Sequence, residues 1–140
     1  AWMTRYILAR VCEEFNIYPD WDPKPIEGDC NGSGMHTNFS TLAMRDSGGL
    51  QHILNAMPKL EAKHKEHLQV YGVDNDQRLT GEHETASMDT FSWGYADRGR
   101  SIRISKLVEK QGKGYFEDRR PASSCDMYLV AHKLIKTVCS

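Results

Sequence analysis

What this chain can fold into is limited most by two long stretches that lack a helical period. Residues 16–34 hold Pro19, Pro23, Pro25, Gly28, Gly32 and Gly34, residue types that interrupt helices and leave room for only brief extended pieces. Residues 72–99 again show no 3.6-residue repeat, and that is long for a connection inside a compact domain. Loops of such length are more often functional than mere linkers. Regular elements are therefore expected between and beyond these stretches, and chemistry is expected on them.

The remaining segments carry clearer patterns. Trp2, Tyr6, Val11 and Phe15 recur at near-helical intervals with Arg5, Arg10, Glu13 and Glu14 between them, which predicts a helix over 2–15. That helix starts at the first residue without cap, turn or leader, a start that suggests an upstream segment has been removed. Residues 35–41 alternate as a strand would, placing His36, Asn38 and Ser40 on one face and Thr37, Phe39 and Thr41 on the other. Two consecutive helices are predicted over 49–56 and 58–71. The second opens with Pro58, which suits a first turn, and is crowded with Lys59, Glu61, Lys63, Lys65 and Glu66, so it should be solvated. Ile102 and Ile104 alternate with Ser101 and Arg103 in a short strand over 101–104, and 112–121 reads as a charged turn or strand end. Asp126 caps a final amphipathic helix over 126–138 that turns Val130, Leu134, Ile135 and Val138 to one side.

Charge and cysteine usage exclude several classes. Eighteen Lys and Arg against nineteen Asp and Glu leave a net charge of -1, so no global field draws the chain to nucleic acid or an acidic membrane, and neither partner is expected. The longest apolar runs, 6–9 and 128–131, are too short to span a bilayer, and no signal-peptide layout opens the chain, so a cytoplasmic protein is expected. The four cysteines, Cys12, Cys30, Cys125 and Cys139, are scattered without a C-x-x-C pair and read as reduced thiols.

The physical clue to chemistry lies in the arginines. Arg78, Arg98, Arg100, Arg103, Arg119 and Arg120 fall in or beside glycine-containing loops, and planar guanidinium groups converging on one cleft suit a phosphorylated, anionic substrate. Any one of them could instead pair with a neighbouring acid such as Asp89, Asp97 or Asp118. His36, beside Asn38 and Ser40, could present a neutral imidazole to a metal near a nucleotide if Glu84 or Glu117 completes the shell. His64 and His67 are expected to be a solvent-facing pair. The turn 29–34 (DCNGSG) lets backbone N–H groups approach a ligand, and Glu84 sits in a loop able to move over a cleft.

Taken together, DPKPIEGDCNGSGMHTNFST, RLTGEHETASMDTFSWG, ADRGRSIRI and KGYFEDRRPAS, in this order and spacing, resemble glutamine synthetase of the eukaryotic type, specifically the C-terminal part of its catalytic domain, from about Trp2 to the last residue. The resemblance implies an ATP-dependent ligase that phosphorylates the glutamate side chain and then joins ammonia to it, with Mg or Mn as metal and ATP as cosubstrate. It implies an α+β fold, part of a catalytic barrel of curved antiparallel strands with helices outside, without the small N-terminal β-grasp domain, and a homo-oligomer of stacked rings for the complete protein. His36 and Glu117 are implied as metal ligands, and Asn31, Gly32, Arg78 and Arg119 as glutamate contacts. Glu84 is implied as the loop carboxylate that takes the ammonium proton, with Arg98 and Arg119 as its catalytic companions. Asn38, Ser40, Arg98, Arg103, Tyr115 and Phe116 are implied at the nucleotide. Cys30, Glu27, Asp97 and Arg100 depart from the family pattern; the last two place an acid and a base almost side by side. Because most metal-binding glutamates of the family lie upstream of this stretch, the isolated chain is expected to be inactive, and a half barrel is expected to expose an open strand edge. Two other readings are a non-catalytic scaffold of the same family and a ligase joining glutamate to another amine.

Overall fold

A computed structural model describes residues 1–140 as six α-helices, one short 3-10 helix (Asn75–Gln77) and four short strands. Helix α1 spans Trp2–Glu14 and strand β1 spans Thr37–Phe39. Helix α2 (Leu42–Arg45) starts at Thr41, whose hydroxyl accepts from the Met44 N–H at 3.3 Å. Helices α3 (Gly49–Ala62) and α4 (His64–Leu68) follow, then strands β2 (Trp93–Tyr95) and β3 (Ile102–Ile104). Helix α5 (Lys106–Gln111) is capped by Ser105, which accepts from the Val108 N–H, and it ends at Gly112 with φ 68°. Strand β4 (Phe116–Asp118) and helix α6 (Met127–Cys139) complete the chain, the latter capped by Asp126 accepting from the Tyr128 N–H at 2.8 Å.

The helix break expected at Pro58 falls five residues later, at Lys63. Ile53, Ala56, Met57 and Leu60 form one buried stripe that runs past Pro58, so burial of the stripe keeps the helix going although the proline has no N–H for the preceding turn. Ile53, Met57 and Leu60 each contribute about 1.5–3 kcal/mol when fully buried. Helices α2 and α5 and strand β2 were not expected from the sequence; each is short and is set by its caps or its neighbours.

The sheet order is β1-β4-β3-β2, an open arrangement. Pairing is antiparallel for β1 with β4 and for β4 with β3, but β2 pairs parallel to β3, which corrects the expectation of antiparallel strands throughout. Residues 96–101 are too few for a helical crossover. They reverse instead through Ala96 at φ 51° and a turn in which Asp97 accepts from the Gly99 N–H at 2.8 Å and from Arg100 Nε at 2.7 Å. This is the acid and base pair that departs from the family pattern, and it closes the turn.

Register places Asn38, Glu117, Arg103 and Gly94 side by side across the four strands. Because successive residues alternate faces, their neighbours Phe39, Phe116, Ile102, Ile104 and Asp118 face the helices. Ile102, Ile104 and Phe116 are fully buried there with Met44, Leu60, Val130 and Leu134. One face of the sheet is core, and the other is polar.

Behind the sheet lies a buried polar chain that overturns two expectations. His64 and His67 do not face solvent; they are 6% and 0% exposed. Tyr71 donates to Asp118 Oδ2 at 2.7 Å, so it can only accept from His67 Nδ1 at 2.6 Å, and His67 Nε2 then accepts from the Thr137 hydroxyl at 2.8 Å. Arg120 is not an anion-binding group but a core residue: it grips Asp118 through Nε and Nη2 at 2.9 and 2.7 Å. Its Nη1 donates to His64 Nδ1 at 3.0 Å, while His64 Nε2 donates to the Met88 carbonyl at 2.9 Å. Every nitrogen of both imidazoles is thus used in a neutral ring. Burial lowers both pKa values, His67 to about 4, with the nearby Arg120 charge adding to it.

Candidate active site

The polar row on the open sheet face is where the candidate residues meet. Glu117, 8% exposed, is the common partner. Its Oε2 accepts from Arg103 Nε, and its Oε1 lies 3.3 Å from Arg119 Nη1 and 3.2 Å from His36 Nδ1. Arg119 Nη1 also donates to His36 Nδ1 at 3.3 Å. One carboxylate, one imidazole and two guanidinium groups from β3, β4 and the segment before β1 therefore share a single contact set.

Arg119 ties this set to the loops. Its Nε donates to the Arg98 carbonyl at 3.2 Å and its Nη2 to the Glu84 carbonyl at 3.1 Å, while the Glu84 carboxylate accepts from Arg98 Nη1 at 3.2 Å. Arg78 approaches from the 72–99 stretch. Its Nη2 donates to the carbonyls of Arg119, Arg120 and Pro121 at 3.1, 2.7 and 3.1 Å, and its Nε donates to Asn75 Oδ1 at 3.1 Å. Asn75 was missed in the sequence because its role is to hold Arg78 and, through Nδ2 at 2.8 Å, the Arg120 carbonyl; no motif marks such a support.

Gly32 and Gly34 are glycines for a steric reason. A Cβ at Gly32 would collide with the Arg78 side chain and stand 2.6 Å from the Pro23 carbonyl, and one at Gly34 would stand 2.7 Å from Arg78 Nη1. The 16–34 loop thus closes over Arg78. Lys24, Asp29, Cys30, Gly32, Arg78 and His83 are among the residues lining a hollow of about 450 Å³. A second hollow, of about 750 Å³, is lined by Ala96, Asp97, Arg98, Arg103, Ser105 and Lys106. Lys106 adds a cation that the sequence reading did not single out.

Electrostatics favour an uncharged His36. Partial burial lowers its pKa, the Arg119 charge lowers it further, and Glu117 only partly offsets them. Burial and the Arg119 charge pull Arg78 down to about 10, still protonated near neutral pH. As a metal site the set is incomplete. His36 and Glu117 are two donors already engaged by guanidinium groups, a hard divalent cation takes about six, and no group of three or more His, Cys, Asp or Glu able to hold a metal occurs.

Not every candidate joins the cluster. Asn38 is exposed beside Glu117 in the sheet row, and Asn31 is exposed next to Gly32. Ser40 is engaged locally, its hydroxyl accepting from Arg45 Nε at 2.7 Å. The Phe116 side chain is fully buried against Phe39 at 5.4 Å between ring centroids, so only its backbone can meet a ligand. Tyr115, one residue earlier, is 38% exposed.

Comparison with known proteins bears on this arrangement. No family model matches the chain. A glutamine synthetase of Yarrowia lipolytica is 59% identical over 138 residues, covering 99% of this chain and 38% of that protein. A glutamine synthetase of Saccharomyces cerevisiae is 58% identical over 138 residues, and the glutamine synthetase cytosolic isozyme 1-5 of Arabidopsis thaliana is 56% identical over 136. Among solved structures, the cryo-EM structure of Plasmodium falciparum glutamine synthetase superposes with a TM-score of 0.72 at 21% identity, covering 98% of this chain and 28% of that one, which shows a shared fold. The chain spans less than two fifths of the length of these curated relatives. Over nearly all of its own length, and at more than half of the aligned positions, the chain is similar to glutamine synthetases.

Proposed function

We propose that, within a polypeptide of the relatives' full length, this chain supplies part of an active site that joins ammonia to the side-chain carboxylate of glutamate at the expense of ATP. The observation that carries the reading is the shared contact set of Glu117, His36, Arg103 and Arg119, tied through Arg119 to Glu84 and Arg98. Phosphoryl transfer concentrates negative charge on equatorial oxygens, and fixed guanidinium groups lower that cost without reorganising.

In this reading Arg98 and Arg103 face the polyphosphate from the larger hollow, with Asn38, Ser40, Tyr115 and the Phe116 backbone around the nucleotide. Arg78 and Arg119 hold glutamate carboxylates, and Asn31 and Gly32 lie against its backbone. Glu84 takes a proton from ammonium so that a neutral amine attacks. Mg or Mn, when bound, neutralises phosphate charge. His36 and Glu117 would be two of its ligands, with residues outside this chain supplying the others. The same wider polypeptide completes a barrel from the open sheet, adds a β-grasp domain, covers β1 and the exposed apolar side of α1, and assembles as stacked homo-oligomeric rings in the cytoplasm. No helix here is long and apolar enough to cross a membrane.

The test is ATP- and ammonia-dependent glutamine formation by the complete polypeptide and by its Glu84→Ala variant. A fall in rate of about 100-fold or more is expected for the variant, the scale of a general acid–base contribution. Equal rates would remove the role of Glu84, and no glutamine from the unsubstituted protein would favour a scaffold.

A further inference from the structure

The Glu84 loop is held in a conformation that its own backbone does not favour. His83 and Glu84 are consecutive non-glycine residues in the left-handed region, with φ of 50° and 61°, a state that persists only when surrounding contacts over-determine it. Three contacts do so. Arg119 Nη2 holds the Glu84 carbonyl and Arg98 holds its carboxylate. The third lies on the other side of the residue pair: His83 Nε2 meets Asp29 Oδ1 at 3.0 Å.

That third contact differs from the others in what it joins. Arg98 and Arg119 belong to the cluster gathered around Glu117, whereas Asp29 belongs to the 16–34 loop, two residues before Asn31. His83 and Asp29 both line the hollow of about 450 Å³ that also holds Gly32 and Arg78. The pair thus bridges two loops that both contribute to the lining of that hollow.

We propose that His83 and Asp29 form a latch that fixes the Glu84 loop to the Asn31 loop beside the hollow lined by Gly32 and Arg78, which makes both of them positioning residues for Glu84. The inference rests on the roles proposed above for Glu84, Gly32 and Arg78, but the latch itself is a property of the folded chain. Asp29 is 94% exposed at its side chain, so the pair has the strength of a surface contact, and its loss changes loop opening about twofold to fivefold rather than abolishing closure. The effect should fall on residues 80–87 and 28–34 and nowhere else.

Hydrogen exchange read by mass spectrometry on the full chain tests this, with Asp29→Ala to remove the acceptor and Asp29→Asn to keep a neutral one. Faster exchange in 80–87 for Asp29→Ala, by about twofold to fivefold, with β3 and α6 unchanged and partial rescue by Asp29→Asn, is the expected result. Unchanged exchange in 80–87, or a rise spread over β3 and α6, would overturn the latch. In the complete polypeptide, Asp29→Ala should raise KM for glutamate more than it lowers kcat; an unaltered KM would deny the positioning role. Failure of the unsubstituted polypeptide to form glutamine would sink the proposed function while leaving the exchange result to judge the latch alone.

Discussion

At the residue scale, the run Glu117, Asp118, Arg119, Arg120 joins core and site. The two odd-numbered members face the site, and the two even-numbered ones lock together behind it, Asp118 at 0% and Arg120 at 1% exposure. Burial opposes both charges, yet their mutual contact wins: Asp118 is held below the ordinary carboxylate range and Arg120 above the ordinary arginine one. Removing one partner leaves the other buried and unpaired, so Asp118→Ala should lower unfolding free energy by about 3–5 kcal/mol in denaturant titration. A loss under about 1 kcal/mol would show that water reaches the pair. This division was within reach of the sequence, because alternation with period two assigns the four residues to opposite faces once 116–118 is read as a strand. A reading of charged turn or strand end hid it, and with it the burial of Arg120.

The histidines make a pH prediction at the same scale. His67 has a folded pKa of about 4, against roughly 6.5 in an unfolded chain. Between those values the unfolded state binds more protons, so stability is complete above about pH 6.5 and falls on acidification toward 4. His64 shifts in the same direction. Urea midpoints should therefore drop between pH 7 and pH 4.5, and less so in His67→Gln. Glu66, lowered to about 2 from an ordinary value of 4.5 by its hydrogen bonds with Lys133 and Lys63, begins to lose its own contribution only as pH falls through that ordinary value, at the acid edge of this window. A midpoint flat from pH 7 to 4.5 would contradict the neutral-ring assignment.

At the element scale, long periodic segments were legible and short ones were not. Helices α1 and α6 fall within a residue or so of the positions their patterns predict. β2 is a strand only because Ile102–Ile104 offers it a partner, so its own three residues could not announce it. α3 shows a stronger signal overriding a weaker one, since a buried stripe outweighed a proline. Pro58→Ala should restore the hydrogen bond missing from that turn and raise stability by about 1–3 kcal/mol, within the range of proline's cost in a helix interior. Thermal unfolding would read it, and an unchanged or lower Tm would mean that the helix has already relaxed around the proline.

For the whole molecule, the open features lie on the side away from the core. Helix α1 buries no residue; it is tied to the rest through Arg5, which donates to the carbonyls of Ser123 and Cys125 and lies 5.5 Å from the Trp21 ring, and through Trp2, stacked on Tyr128 at 6.5 Å. Trp2, Tyr6, Val11 and Phe15, the stripe that predicted the helix, are exposed. Periodicity reveals that an apolar face exists but not what covers it. The site shows the same limit: its arginines and Glu117 converge within 140 residues, yet only His36 and Glu117 offer metal ligands. Incubated with ATP, Mg, ammonia and glutamate, the isolated chain should form no glutamine, and detectable product would refute the division of the site.

The central claim is that separate loops and strands gather Glu117, His36 and the guanidinium groups around one anionic ligand. Calorimetric titration of the complete polypeptide with ATP in the presence of Mg tests it directly, comparing the unsubstituted protein with Glu117→Ala. The variant should bind at least about tenfold more weakly, a difference of roughly 1.4 kcal/mol, because Arg103, Arg119 and the metal all lose their shared partner. Equal affinity in the two proteins would contradict the account.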